Sequence, residues 1–439
     1  YKSRYLITLT GRQDGYSAFG TNNKYAFFPS VALAWNINSE KFMAGTSKWL
    51  DQLKLRLSYG SNGNQAISAY QTLDRLSAVK KYLFGDEATP VNGVYLPTNG
   101  VGNPNLKWET TNTFNAGLDY SFLNGRLLGS FDFYVSNTKD LLMSRSVPYM
   151  NGYRSIMDNI GSTRNIGLEF VLTSVNIRNK DFEWRTTFNL AWNKDEITKL
   201  ADNATQDLTN KWFVGESSRV YYDYNVVGTW QTNEATWDAT KKKYINADGK
   251  EIQKGAVPGS AKLEDVNGDG VIDSNDKKVI GSKLPSITSA LTNNFAYKNV
   301  YASFVLTGLF GQWRQMHDYN FDRWMPEFNY LSGMNYWTED NPTNEMTSPV
   351  YVPFNKHGFY KRMNYVHIKN VTLGYRLPKE WANSLGLQSI KCDLSVNNLY
   401  TFSNIKNALN FDSTQDDEKG AVIGYPTARS YMFTLNVSF

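Results

Sequence analysis

One short acidic segment has the clearest capacity for chemistry, Asp265-Val-Asn-Gly-Asp-Gly-Val-Ile-Asp-Ser-Asn-Asp276. Oxygen donors stand at positions 1, 3, 5, 7, 9 and 12, the spacing that calcium-binding loops use. Gly270 at position 6 permits the sharp turn around the ion. The expected ligands, one of them through its backbone carbonyl, are Asp265, Asn267, Asp269, Val271, Asp273 and Asp276. The pattern predicts a structural Ca²⁺ site that orders a long loop.

Two departures limit this interpretation. Position 12 is Asp276 rather than Glu, which weakens the bidentate closure of the shell. Pro258 and Pro285 flank the segment, so paired helices that open a groove are not expected. Asp, Asn and Gly also favour turns without a metal, and a solvated turn is the alternative.

Aromatic residues are dense in segments 312–337 and 212–237. Aromatic faces can stack on the apolar C–H faces of sugars, while neighbouring polar groups bind the hydroxyls. The candidate ligand or partner contacts are Trp313, Tyr319, Trp324, Tyr336, Trp337 and Trp230. The alternative is that these side chains pack the loops together or contact a partner protein.

An enzyme is not expected. The chain has only 3 His, and no metalloprotease, nucleophile-elbow, phosphate-loop or dinucleotide-binding motif is present, so no catalytic residue is assigned. The formal net charge is only +5 and the basic residues are scattered, which gives nucleic-acid binding little support.

Apolar and polar residues alternate along many segments, which predicts an all-β fold. The last strand shows one apolar parity at Tyr431, Phe433, Leu435, Val437 and Phe439. About twelve segments have this pattern, each close to the length that a tilted strand needs to cross a bilayer. They lie near 2–11, 25–37, 52–61, 110–121, 126–137, 166–176, 183–193, 286–297, 299–311, 364–376, 390–400 and 430–439.

The connections between these segments alternate between short and mostly long, and 194–285 and 312–363 are the longest. An antiparallel meander places alternate connections at opposite ends, as outer-membrane barrels do with periplasmic turns and extracellular loops. The pattern predicts a transmembrane antiparallel β-barrel with extracellular long loops and a periplasmic C-terminus. The chain begins within a strand and shows no signal peptide, so we expect it to be part of something longer.

Several motifs in order resemble the SusC/RagA-type TonB-dependent transporters of Bacteroidetes outer membranes. The stretches that carry the resemblance include Arg12-Gln-Asp-Gly-Tyr-Ser-Ala-Phe-Gly20, Asn103-Pro-Asn-Leu-Lys-Trp-Glu-Thr-Thr111, Tyr365-Val-His-Ile-Lys-Asn-Val-Thr-Leu-Gly-Tyr375, Asn397-Asn-Leu-Tyr-Thr-Phe402 and Tyr425-Pro-Thr-Ala-Arg-Ser-Tyr431. The resemblance implies a 22-stranded barrel with an N-terminal plug. Residues 1–439 would then be the C-terminal portion, without the plug domain.

The resemblance further implies active import of an oligosaccharide or peptide across the outer membrane. A SusD-like lipoprotein would cover the long loops, and TonB would supply energy through the missing N-terminal part. Two alternatives remain open from the residues. One is a passive, self-contained porin, and the other is a calcium-dependent adhesin or sugar-binding β-protein.

Overall fold

The computed structural model describes residues 1–20, 22–82, 91–95, 101–148, 150, 152–153, 155–316, 333–349, 357–405 and 428–439. The chain divides into two compact units, Tyr1–Ser218 and Arg219–Phe439.

The first unit contributes seven long strands that pair antiparallel in chain order. They are β1 (Tyr5–Gly15), β2 (Tyr25–Asn36), β3 (Leu50–Asn64), β4 (Glu109–Phe122), β5 (Leu127–Lys139), β6 (Ser162–Arg178) and β7 (Phe182–Lys199). The second unit contributes five, again antiparallel in chain order. These are β8 (Ile287–Tyr297), β9 (Val300–Gln315), β10 (Tyr360–Arg376), β11 (Ser389–Ser403) and β12 (Ser430–Ser438).

The predicted all-β fold and its dozen strands are confirmed, since these elements form a 12-stranded antiparallel sheet. The described helices are short: α1 (Lys379–Ser384) and the 3₁₀ turns Ile37–Ser39, Lys41–Thr46, Ala201–Asn203 and Ser274–Asp276. None of the helices in the described ranges is long and apolar enough to cross a membrane.

The long connections carry small hairpins and strand pairs of their own. Their strands are Ser77–Tyr82 with Val91–Tyr95, Leu142–Ser146 with Ser155–Asn159, Gln206–Asp207 with Trp212–Phe213, Val220–Asp223 with Lys278–Ser282, Val226–Thr229 with Ala261–Leu263, and Trp237–Asp238 with Lys243–Tyr244. By contrast, residues 123–126, 179–181 and 298–299 are tight turns between neighbouring long strands. The alternation of short and long connections is therefore present in the structure.

One face of the sheet carries exposed apolar rows. In the second unit Leu373, Leu394 and Phe433 lie side by side on three neighbouring strands. They are 55%, 54% and 68% exposed. On the opposite face the Thr372 and Ser395 hydroxyls hydrogen-bond at 3.0 Å. A continuous apolar surface beside a polar one suits contact with lipid on the apolar side.

The first unit repeats this division between faces. Its apolar row runs through register partners on five strands, Leu55, Leu118, Phe131, Phe170 and Leu190. On the polar face the Arg56 guanidinium donates to Asp119 at 2.8 and 2.9 Å and to Asp132 at 3.0 Å. The period-two alternation thus keeps the charged residues off the apolar face.

The first unit also contains a buried cluster that we call the aromatic clasp, defined by Phe19, Phe28, Ile67, Leu106 and Trp108. The Trp108 ring centroid lies 5.4 Å from that of Phe19 and 5.7 Å from that of Phe28. Trp108 Nε1 donates to the carbonyl of Lys24 at 3.2 Å. The clasp joins two of the motifs that carry the family resemblance, 12–20 and 103–111. Their apolar residues therefore pack against each other in the fold.

Close approach at the clasp also explains one glycine. A Cβ on Gly20 would lie 2.0 Å from the backbone oxygen of Pro104, which leaves no room for a larger side chain. The neighbouring Asn103 is buried and donates through Nδ2 to the Met157 carbonyl at 3.0 Å.

Candidate functional site

The predicted calcium segment folds back on itself in the second unit. Asp265 Oδ1 accepts a hydrogen bond from the Gly268 N–H at 2.7 Å, and Asp265 Oδ2 accepts one from Gly270 at 2.8 Å. Gly270 has φ +79°, a left-handed conformation that favours glycine. The first carboxylate of the segment therefore organises the turn that a calcium loop requires.

The last carboxylate closes the segment from inside. Asp276 is fully buried, and its oxygens accept from the N–H groups of Val266 at 2.9 Å and Asp273 at 2.8 Å. Asp273 in turn accepts from the Asn275 N–H at 2.7 Å. The buried charge of Asp276 is thus balanced by backbone donors.

The remaining predicted ligands lie on the outer part of this loop. Asn267 and Asp269 are exposed and Val271 is partly exposed. The next residue, Ile272, packs into a core with Tyr224 and Leu263. Over the described residues, no group of three or more His, Cys, Asp or Glu side chains is placed to hold a metal ion.

Ionised groups brace the base of this loop. Lys278 Nζ lies 2.8 Å from Glu264 Oε2, and Asn225 Nδ2 donates to the same oxygen at 2.6 Å. These bonds hold the pKa of Glu264 below its ordinary range. The stabilisation that these bonds give to the folded state is complete above the ordinary glutamate pKa. It is lost as the pH falls through the lowered pKa of Glu264.

Burial raises the pKa of Tyr224, and the charges of Asp223, Asp273 and Asp276 add to the rise. Lys277 Nζ lies 5.0 Å from the Tyr224 ring centroid. Tyr224 therefore stays neutral at physiological pH, which suits a ring packed beneath a carboxylate-rich loop.

Trp230, a predicted ligand contact, lies in the core of the loop segment. It is 3% exposed and stacks on Tyr244 with ring centroids 4.1 Å apart. Lys262 Nζ lies 4.4 Å from the Trp230 ring, and Trp230 Nε1 donates to Gln253 Oε1 at 3.1 Å. The Trp230 side chain therefore takes part in packing within the loop segment, and its predicted ligand contact stays a prediction.

Trp337 is also buried, at 6% exposure. Its Nε1 donates to Gln231 Oε1 at 2.8 Å, and its ring lies against Gly259, where a Cβ would come within 2.5 Å. Tyr336 is partly buried against a neighbouring methionine-rich cluster. The Trp313 ring lies against Gly281, where a Cβ would come within 2.1 Å.

Tyr319 and Trp324, the other two predicted contacts, lie outside the described residues. Trp337 thus hydrogen-bonds to Gln231, the chain neighbour of Trp230, and the ligand role of all six aromatic residues stays a prediction.

Two polar residues that the sequence reasoning missed join the two longest connections. Gln231 Nε2 donates to the Thr343 carbonyl at 3.2 Å, and Asn344 Oδ1 accepts from the Thr229 N–H at 3.0 Å. More than a hundred residues separate the partners (|i−j| 112 and 115). No local pattern in the sequence marks such contacts.

Known proteins share the exposed apolar rows and the alternation of short and long connections. The family described as TonB dependent receptor-like, beta-barrel matches residues 1–399. The chain belongs to the TonB-dependent receptor β-barrel family. Family membership places the protein in the outer membrane.

Its relatives are of the SusC/RagA type. A TonB-dependent receptor of Formosa agariphila is 33% identical over 470 residues, covering 100% of this chain and 45% of the relative. The TonB-dependent receptor SusC of Bacteroides thetaiotaomicron is 32% identical over 394 residues, covering 86% of this chain and 37% of the relative. The chain thus spans less than half the length of these relatives.

A solved structure shares the fold. The RagAB peptide transporter superposes with a TM-score of 0.77 at 25% identity, covering 99% of this chain and 46% of the matched chain. The prediction of a SusC/RagA-type transporter is confirmed.

Proposed function

We propose that this chain forms the wall and external loops of an active nutrient importer of the outer membrane. The substrate is an oligosaccharide or a peptide, and TonB energises the import. The observation that carries the proposal is the family match over residues 1–399. The strands in this range agree with it, because they have one exposed apolar face and one polar face. A polar inner face lets a hydrophilic solute pass where the outer face meets lipid.

A SusD-like lipoprotein works with the long loops in this proposal. Relatives of the SusC and RagA type support it, and RagAB is described as a peptide transporter. The long connections, which carry the folded segment around Trp230, are extracellular, and the tight turns and the C-terminus are periplasmic. The plug and the TonB contact belong to a part of the protein outside residues 1–439.

A passive porin is the second candidate, because an aqueous barrel alone also conducts solutes. Uptake measurements separate the two. We expect deletion of the gene in the source bacterium to abolish uptake of fluorescent short peptides or of labelled oligosaccharides, and a protonophore to do the same in the parent strain. Uptake that persists in the presence of the protonophore would support the porin.

We also propose that the Asp265–Asp276 loop binds Ca²⁺, with Asp265, Asn267, Asp269, Val271, Asp273 and Asp276 as ligands. The support is the donor spacing together with the turn that Asp265 and Gly270 already form. The ion would act as a structural clip, and a site of ~10⁻⁴ to 10⁻³ M affinity would fill outside the cell.

Chelation tests the calcium proposal. We expect EGTA to raise protease cleavage within 194–285 of the native protein, and added Ca²⁺ to restore resistance. The Asp265→Ala variant should be cleaved faster than the wild type, and EGTA should no longer change its cleavage, because the first ligand is gone. Wild-type cleavage that is the same with EGTA and with Ca²⁺ would reject the site.

A further inference from the structure

Basic side chains gather where the apolar face of the first unit ends. The apolar row through Phe131, Phe170 and Leu190 continues on β5, β6 and β7 toward the long connections. Its next two rows on this face are Phe133, Leu168 and Trp192, and then Val135, Ile166 and Lys194. We call the group at the end of these rows the basic patch, defined by Lys139, Arg164, Lys194 and Lys199.

Strand register places Arg164 at the centre of the basic patch. It lies opposite Asn137 on β5 and opposite Glu196 on β7. Each of the three lysines lies one diagonal step from Arg164 on a neighbouring strand, on the same face. Such diagonal neighbours are ~7–8 Å apart, so the four side chains can contact one small ligand group together.

One carboxylate offsets part of the charge. Glu196 lies 3.7 Å from the Arg164 guanidinium and 3.5 Å from Lys194 Nζ. Arg164 Nε also donates to Asn137 Oδ1 at 3.1 Å, which orients the guanidinium. The side chains of Arg164 and Lys194 are still 46% and 59% exposed. Both cations therefore remain accessible to a ligand from outside the sheet.

The other two lysines have no such partner. Lys139 and Lys199 are exposed and form no ion pair with any residue in the described ranges. Asp140, the chain neighbour of Lys139, pairs instead with Lys107 at 2.9 Å. Four cations and one carboxylate leave the basic patch with a formal charge of +3.

The charge is confined to these three strands in this part of the sheet. The same register rows on β3 and β4 carry uncharged residues on this face, Ser61, Gly63, Asn112 and Thr110. Charge that only kept the rim soluble would have no reason to stop at β5. A local excess of one sign indicates a partner of the opposite sign.

The position of the basic patch selects the headgroup of a lipid as that partner. Long basic side chains can lie along an apolar surface and place their charges at the headgroup level beyond it. Trp192 lies one row from Lys194 and is the type of residue that concentrates at this boundary. Guanidinium and ammonium groups both bind phosphate through charge-assisted hydrogen bonds.

The orientation of the strands decides which lipid this is. With the long connections extracellular, the basic patch lies in the outer leaflet, where the anionic lipid is phosphorylated lipopolysaccharide. We propose that the basic patch binds a phosphate of lipopolysaccharide, whose acyl chains lie on the apolar rows beneath it. This rests on the orientation in the proposed function and adds a lipid site outside the import path.

Lipid titration of the full-length receptor, stripped of bound lipid in detergent, tests the proposal. The probes are monophosphoryl lipid A and the same lipid A after removal of its phosphate, with native mass spectrometry as the readout. We expect the wild type to bind the phosphorylated form about tenfold more tightly. The double variant Lys139→Gln/Lys199→Gln should lose about tenfold in affinity for that form only, because it lacks two phosphate-binding charges.

Two further variants separate a phosphate site from general damage. Glu196→Gln should bind phosphorylated lipid A about threefold more tightly, because the competing carboxylate is gone. A merely structural role for Glu196 would not predict that gain. Lys180→Gln removes an exposed charge from the tight turn at the other end of β6 and should bind as the wild type does.

Three results would overturn the proposal. One is equal binding of the two lipid A forms by the wild type, and another is wild-type affinity in the double variant. The third is tighter binding of phosphatidylglycerol than of phosphorylated lipid A, which would make the basic patch a phospholipid surface. Any of these with TonB-dependent uptake intact would remove the lipid site and leave the import function standing.

Discussion

Replacement of Trp230 by alanine should unfold the loop segment that spans residues 219–282. The indole fills a core with Tyr244 and Ala256, and truncation of a buried aromatic of this size costs ~3–5 kcal/mol. The buried carboxamide of Gln253 would also lose the Trp230 Nε1 donor. Hydrogen exchange followed by mass spectrometry should show this loss as faster exchange across the segment, with the strands of the sheet unchanged.

Two variants control for this prediction. Trp381, on helix α1 of the same unit, is 62% exposed, so Trp381→Ala should leave the exchange of 219–282 unchanged. Trp230→Phe keeps an aromatic ring against Tyr244 and should cost less than the alanine variant. If Trp230→Ala instead lowers ligand affinity without any change in exchange, the residue is a ligand contact, as the sequence first indicated.

Trp108→Ala should open the aromatic clasp of the first unit. Its ring is 7% exposed, and Phe19 and Phe28 pack against it. The cavity left behind should cost ~3–5 kcal/mol, because the neighbours come from distant segments and can close it only in part. Protease cleavage and hydrogen exchange in 65–76 and 101–108 should both rise.

The matched control is Leu76→Ala, a 69% exposed apolar residue of the same connection. It should change neither readout, since an exposed side chain leaves no cavity. Equal protection in Trp108→Ala and the wild type would mean that the clasp does not hold this connection.

The long strands were predictable because alternation of apolar and polar residues is a local signal. The end of β7 was not, since the predicted segment 183–193 continues in the structure to Lys199 through Lys194, Asp195 and Glu196. Backbone pairing to β6 extends the strand there, where a single apolar residue, Ile197, is too little to show an alternating pattern. Strand length beyond the apolar band is set by the partner strand, which the local pattern cannot show.

The candidate sites show where residue type stops being informative. A dense run of aromatics suits a ligand surface and a loop core equally. The indole N–H of Trp337 is paired with Gln231, which is far from Trp337 in the sequence. Asn344 carried no sequence signal for the same reason, since its partner Thr229 is more than a hundred residues away. The Asp265 to Asp276 spacing was visible because all of its donors are local.

Uptake by the full-length receptor in isogenic strains with and without TonB tests the central claim most directly. The strains should be compared at low concentrations of a labelled pool of short peptides and oligosaccharides, with an unrelated porin substrate as the control. An energised importer predicts that uptake of the pool is lost without TonB while the porin substrate still enters. Equal uptake of the pool in both strains would contradict active import and leave passive diffusion through the barrel.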